Sequence, residues 1–484
     1  MRATSRIPPR RAAGLTSGIA LALLGGCLLW PGGQNDPRRH MNLVIVLEGL
    51  RPGDVSPELT PRMAELVRRG TFAEEHRDAY PPETHVGAAC LGTGTYPARH
   101  GILGSRLFLP EIGGPAIDAA DATALERLDR SMGEDLVTAP TLAEVLAAAG
   151  RRLVVVSSGD PGSALLLDPR FRGAGTFQTE LIRPEGHLPR LLETFGATPA
   201  EAVPNVARDR RAVDILLGYV LPRLEPHVVF LWLSEPGHTA RATALRPEPV
   251  RRALAHVDAE IGRLLDGLRR QGRLGRTNVF ILSSGAWDAR PLEQALSREL
   301  IERGWKAAEG SPDVVIAGGG IHLRGAETRA VREIARSLLA SRPDEVILTR
   351  QPRPTHPEGF VPGTLSLEVM RLDHARAPEA WVGPKDFDGV FLAAGPDIKK
   401  GLRNPLPTSV VDLAPTLCRL NGLSVPSMDG RLLEEMLRGG PNPSRVRPLR
   451  RTLRAAAASP GVPSWDLEEI AVGGHDYPHH LYRR

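Results

Sequence analysis

Short unbroken apolar runs alternate with longer stretches of helical periodicity along most of the chain. NLVIVLE at 42–48 is almost wholly apolar and halts at Gly49, as expected of a strand buried on both faces. Similar runs at 153–157, 227–233, 277–283, 313–317 and 389–393 predict further strands. Thr60-Pro61 places an N-cap residue before a first-turn proline and predicts a helix reaching Arg69. Leu254, Val257, Ile261, Leu264, Leu265 and Leu268 share one face of another predicted helix. Strands alternating with helices imply an α/β fold with a mainly parallel sheet covered on both faces. Ligands of such sheets bind beyond the carboxyl ends of the strands. Glu48, residues 234–241 and 283–288, and the loop holding Thr84 are therefore the places to look for chemistry.

Both ends of the chain break the pattern. Arg2, Arg6, Arg10 and Arg11 precede an apolar run at 12–30, the layout of an export signal. Leu24-Gly25-Gly26-Cys27 is similar to a bacterial lipobox. Residues 1–30 thus read either as a lipoprotein signal, acylated at Cys27, or as an uncleaved signal anchor. Residues 31–41 read as a polar tether. Either way the expected location is extracytoplasmic and membrane-tethered, in the periplasm or on the outer face of a bacterial membrane. Residues 438–484 sustain no amphipathic pattern and are expected to form a flexible basic tail. Its His475, His479 and His480 read as incidental, with metal binding as the rival. A single domain is expected between, at 42–437.

Composition changes this picture little. Hydrophobic residues make up 42% and charged residues 24%, a globular balance. Three cysteines (27, 90, 418) exclude a disulfide framework and a Cys-rich zinc fold. A net charge of +5 invites a nucleic-acid reading. Yet residues 1–41 carry six Arg against one Asp, and 438–484 carry eight Arg against four acids. The stretch between is mildly acidic, so no nucleic-acid partner is expected.

Three stretches carry a resemblance. VIVLEGLRPGDVSPELTPRMAELVRRGTF contains a strand followed by G-L-R-P and a T-P helix start. YPPETHVGAACLGTGTYPARHGILG holds a Thr and then T-G-x-Y-P-x-R-H-G-I. GVFLAAGPDIKKG precedes SVVDLAPTLCRLNGLSVPSMDGRLL. Together they resemble the type I phosphodiesterase/nucleotide pyrophosphatase branch of the alkaline phosphatase superfamily, over residues 42–437. The resemblance implies an alkaline phosphatase-like three-layer sandwich. It also implies two zinc ions that clamp phosphate, activate a Thr or Ser nucleophile and stabilise the leaving oxygen.

Residue by residue, the resemblance places the nucleophile at Thr84. The phosphate-contacting Asn three positions on is Gly87, and the first Asp ligand is Glu48. Aligning SEPGHTAR with S-E-P-D-x-T-x-H puts Gly237 on an Asp ligand and Arg241 on a His ligand. A rival register keeps His238 but leaves Ser234 for the Asp. The family's S-D-H-G becomes Ser283-Ser284-Gly285-Ala286, so Ser284 and Gly285 replace two more ligands. Lys385 or nothing stands for the last His. Only Glu48 survives, in altered form, and no zinc is expected.

These replacements imply a catalytically inactive pseudoenzyme. Its expected partner is a small anionic ligand, held by Arg241, Lys385, the Thr84 hydroxyl and backbone N–H groups near Gly87, or an envelope protein. One rival is a divergent metal-dependent phosphodiesterase or phosphatase using Thr84, zinc being its expected metal, with Glu48, Glu235, His238 and Asp288 as displaced ligands of a single relocated ion. Another is a structural envelope protein. His85, His100 and His322 read as loop or packing histidines, and Cys90 as a small buried residue.

Overall fold

The apolar run that opens the pattern becomes the centre of a nine-stranded sheet. In the computed structural model the described residues are 40–285, 290–325, 328–350, 357–455 and 464–483. The expected signal, Cys27, most of the tether, Ala286 and Asp288 lie outside them. The sheet's strands are β1 (Met41–Glu48), β2 (Thr71–Ala73), β3 (Leu153–Ser157), β4 (Gly175–Gln178), β5 (Ile182–Arg183), β6 (Val228–Leu233), β7 (Thr277–Ser284), β8 (Phe391–Ala394) and β9 (Leu402–Asn404). Their spatial order is β9-β2-β8-β7-β1-β6-β3-β4-β5. The five strands from β7 to β4 run parallel, while β8 and β5 attach antiparallel. Register then aligns the carboxyl ends: Glu48 lies opposite Ser284, and Leu47 opposite Leu233.

Helices cover both faces, as the alternation predicts. Val44 and Val46 of β1 face a core that includes helices α2 (Thr84–Thr93) and α3 (Pro161–Leu167). Leu43, Ile45 and Leu47 face the opposite core. There α1 (Pro61–Arg69) contributes Met63 and Leu66, and α5 (Pro247–Arg270) contributes Leu254, Val257, Ile261, Leu264 and Leu268. The short α4 (Gly237–Ala242) lies between β6 and α5. The period-2 alternation of β1 therefore divides two hydrophobic layers. Helix α2 is buried over its whole length, and Gly92 brings it against α3: a Cβ there would sit 2.6 Å from the Leu166 carbonyl oxygen. A second, five-stranded sheet contains Val314–Ala317, Gly320–Leu323, Val346–Thr349, Leu365–Ser366 and Ala380–Gly383. Among the described residues no helix is long and apolar enough to cross a membrane.

The expected flexible tail is corrected. Leu449–Arg454, Trp465–Val472 and His475–Arg483 form a three-stranded antiparallel sheet. Its Trp465, Leu467 and Leu481 join a buried cluster with Leu348, Leu365 and Trp381. The Tyr477 hydroxyl donates to Asp412, at 3.0 Å from Oδ1. A register shift between Glu468 and Glu469 explains why the sequence hides this sheet. The bulge breaks the alternation WDLE-EIAV in its middle, so neither half reads as a full strand. His475, His479 and His480 belong to its last strand, and His479 is buried beside Glu75 and Glu468.

Because Leu467 is fully buried, Leu467→Ala is expected to destabilise the protein by about 2–5 kcal/mol. Urea denaturation followed by tryptophan fluorescence measures this; an unchanged midpoint would mean the C-terminal sheet is not packed on the domain.

Candidate functional site

A cavity of about 460 Å³ opens where the parallel strands end. Glu48 at the end of β1, Ser158 after β3, Gln178 at the end of β4 and Ser234 after β6 all line it. Thr84, the first residue of α2, and Arg241 of α4 complete the part expected from the sequence. Glu48, Thr84 and Arg241 are thus brought together. Lys385 is not: its side chain is 53% exposed, lies 3.9 Å from Asp386 and does not line the cavity. The expectation that it shares an anion with Arg241 is corrected. Its loop follows Ala380–Gly383, the central strand of the second sheet, and carries it to solvent.

Glu48 is buried, and both of its oxygens are engaged. Oε2 accepts from Arg241 Nη2 at 2.7 Å, and Oε1 accepts from the Trp232 indole N–H at 2.8 Å. The backbone around this pair leaves no room for the family's ligands. A Cβ on Gly237 would lie 2.7 Å from Glu48 Cβ and 2.9 Å from its carbonyl carbon. Gly285 has φ +56°, and a Cβ there would lie 2.4 Å from the Thr84 nitrogen and 2.6 Å from Oγ1. A Cβ on Gly87 would lie 2.2 Å from Ser284 Oγ. That buried hydroxyl has no hydrogen-bond partner among the described residues. Zinc needs a near-tetrahedral set of Asp, His or Cys donors. Among the described residues no three His, Cys, Asp or Glu side chains converge on such a set. The residues present do not fit the two-zinc centre.

The relocated-ligand candidates are also accounted for. Glu235 is fully buried and accepts from the Asn205 backbone N–H at 2.6 Å and the Thr239 hydroxyl at 2.8 Å, so it holds the loop into α4. His238 lines the cavity with Nδ1 3.5 Å from Glu201. Ser234 donates to the Asp209 carboxylate at 3.1 Å behind the cavity wall, as Ser158 does at 2.6 Å. His100 and His322 are buried, and burial pushes each down to about 3. Cys90 Sγ sits 3.3 Å from His100 Nε2, and burial pushes its thiol up.

His85 departs from the packing role expected of it. It lines the cavity, with Nδ1 2.8 Å from Ser105 Oγ and Nε2 3.0 Å from Asp160 Oδ1. Burial alone would lower its pKa, but the Asp160 carboxylate outweighs this and holds it above the usual histidine range. Burial likewise acts to raise Asp160, yet His85, the Ser163 N–H and Arg241 together keep it below the usual carboxylate range. Sequence reading missed Ser105 and Asp160. The available signal was Asp160-Pro161, a helix start just beyond the predicted strand at 153–157.

Residues 42–349 match the family model described as type I phosphodiesterase / nucleotide pyrophosphatase. Human ectonucleotide pyrophosphatase/phosphodiesterase family member 1 is 23% identical over 231 residues, which is 46% of this chain and 21% of that protein. Venom phosphodiesterase from Macrovipera lebetinus is 23% identical over 246 residues, 50% of this chain and 25% of that protein. The chain therefore spans a quarter or less of the length of these curated relatives. Among solved structures, murine ectonucleotide pyrophosphatase / phosphodiesterase 5 superposes with a TM-score of 0.58 at 16% identity, covering 82% of this chain and 100% of the other. An inactive variant of that murine protein in complex with AMP also gives 0.58, at 15% identity over the same shares of the two chains.

Restoring one ligand is expected to fail sterically. Gly237→Asp should lower the melting temperature and leave the protein without stoichiometric zinc after dialysis against the metal, read by elemental analysis. A second expectation concerns pH. Burial pushes the Asp209 carboxyl from an ordinary 3.8 up to about 7. The unfolded chain releases this proton first as pH rises, so the stabilisation present below about pH 4 is lost by about pH 7, on the order of 4 kcal/mol. Asp209→Asn should flatten that slope, seen as a smaller difference between urea midpoints at about pH 4.5 and about pH 7.5.

Proposed function

The chain belongs to the type I phosphodiesterase/nucleotide pyrophosphatase family, and from that premise we propose that it binds a phosphate-bearing ligand without performing two-zinc hydrolysis. The observation that carries this reading is the Glu48–Arg241 pair, at 2.7 Å, with Gly237 packed against Glu48 and Gly285 against Thr84. A cation is already provided beside the carboxylate, and the glycines leave no path for the missing ligands. The cavity is of a size suited to a small molecule. Thr84 offers a hydroxyl at the start of α2, where unpaired backbone N–H groups favour an anion. Arg241 is 30% exposed and presents its charge to the same space. AMP, which the murine neighbour holds in its complex, is the natural probe. In this reading the protein is a pseudoenzyme of its family, held outside the cytoplasm by residues 1–30, whose charged-then-apolar pattern supports export.

Isothermal titration in EDTA tests it. AMP and inorganic phosphate are expected to bind, and Thr84→Val should weaken them about 10–150-fold, the worth of one hydrogen bond to a charged group. Arg241→Met paired with Glu48→Gln should abolish binding without stranding a buried charge. Absence of binding by the wild type would overturn the proposal. So would two bound zinc ions with Thr84-dependent turnover of bis-(p-nitrophenyl) phosphate.

A further inference from the structure

The cavity holds a second constellation that neither the family chemistry nor ligand binding uses. Ser105 Oγ, His85 and Asp160 lie in a line, at 2.8 Å from Ser105 to Nδ1 and 3.0 Å from Nε2 to Asp160. Each member is fixed from behind. Ser105 donates its backbone N–H to Glu83 Oε2 at 2.6 Å, and its carbonyl accepts from Ala119 N–H at 2.9 Å. Asp160 caps α3, its Oδ1 accepting from the Ser163 N–H at 2.8 Å. His85 sits in the first turn of α2, with its ring 6% exposed. All three line the cavity.

The hydrogen-bond directions follow from chemistry. The Asp160 carboxylate, kept ionised by His85, the Ser163 N–H and Arg241, only accepts, so in the neutral imidazole Nε2 carries the proton. Nδ1 is then a lone pair, and the Ser105 hydroxyl must donate to it. A serine donating to an imidazole whose other nitrogen is held by a carboxylate is the arrangement that activates a nucleophile. Here the two ring nitrogens exchange the roles they hold in the chymotrypsin arrangement, which leaves the chemistry intact.

We propose that Ser105, His85 and Asp160 form a metal-independent serine hydrolase site acting on a carboxylic ester with polar substituents. Ser105 Oγ attacks the ester carbonyl carbon while its proton passes to His85 Nδ1. The tetrahedral adduct collapses, the carbon–alkoxide bond breaks, and His85 returns the proton to the departing alcohol. Water then attacks the acyl-serine, giving its proton to His85. The acyl–Oγ bond breaks and Ser105 recovers that proton, so one ester and one water become one acid and one alcohol. Arg106 and Arg241 on the cavity wall supply donors for the oxyanion. Asp118, Gln178 and Arg208 make the remaining wall polar, which selects the substituents. Thr84 takes no part in this reaction; the site shares the cavity and Arg241 with the phosphate-binding reading but uses its own nucleophile and base.

The test is labelling with a fluorophosphonate probe in EDTA, read by intact mass and peptide mapping. One adduct on Ser105 is expected, together with turnover of p-nitrophenyl butyrate. Ser105→Ala should lose both. His85→Gln should slow labelling by about 100-fold or more, the usual weight of a general base. Asp160→Asn, checked for folding by circular dichroism, should slow it as well. Lys385→Ala, outside the cavity, should label like the wild type. An adduct on Thr84, no adduct in the wild type, or labelling indifferent to His85→Gln would each overturn the proposal. Because labelling needs no AMP, its failure and a failure of phosphate binding are told apart.

Discussion

An ionised carboxylate removed from water persists only where partners replace its hydration. Glu48 ends the central strand with 1% of its surface exposed, and Arg241 and Trp232 provide that replacement. Stranding such a charge costs about 3–5 kcal/mol, against a typical total stability of about 5–15 kcal/mol. The pair therefore ties the end of β1 to α4, and the mouth of the cavity takes its shape from that tie. It also sets the charge of the site. Where the family resemblance puts a histidine ligand and a metal, Arg241 brings the cation itself.

The backbone has settled around this pair. Gly237 lies against Glu48 so closely that any side chain would press on Cβ and on the main chain. Gly285 adopts a left-handed conformation against Thr84, and Gly87 faces Ser284. A Cβ on Gly237 or Gly285 would meet main-chain atoms, while one on Gly87 would meet only the movable Ser284 hydroxyl. Side chains at 237 and 285, where the resemblance puts zinc ligands, are therefore opposed by the packed backbone as well as absent from the sequence. The murine neighbour shares the fold at 16% identity. The same packing has a second consequence. Gly92 allows α2 to lie close to α3, which sets His85 beside Asp160, 75 residues further along the chain.

Much of this was legible beforehand. The apolar runs identified four of the five parallel strands, because strands buried on both faces have no polar side to disguise them. They missed β4 and also marked two antiparallel strands, β8 and Val314–Ala317. The leucines of α5 marked the face that packs, since helical periodicity is local and survives in any context. The absence of metal donors at 237, 241, 284 and 285 was equally readable, because the ability to ligate resides in residue type. The meeting of Glu48, Thr84 and Arg241 followed from placing them beyond the carboxyl ends of a parallel sheet.

What the sequence determined by itself was thus the layered α/β fold, its family and the poverty of metal ligands, all encoded in local periodicity and residue identity. Tertiary structure alone decided the rest. It excluded Lys385 from the cavity, because a loop's direction depends on the second sheet from which it departs. It turned the expected tail into a sheet, whose bulge at Glu468/Glu469 interrupts the alternation that would have revealed it. It also assembled Ser105, His85 and Asp160 from three separate segments. Their alignment depends on how closely two helices pack and which way each side chain then points, and neither is written in residue spacing.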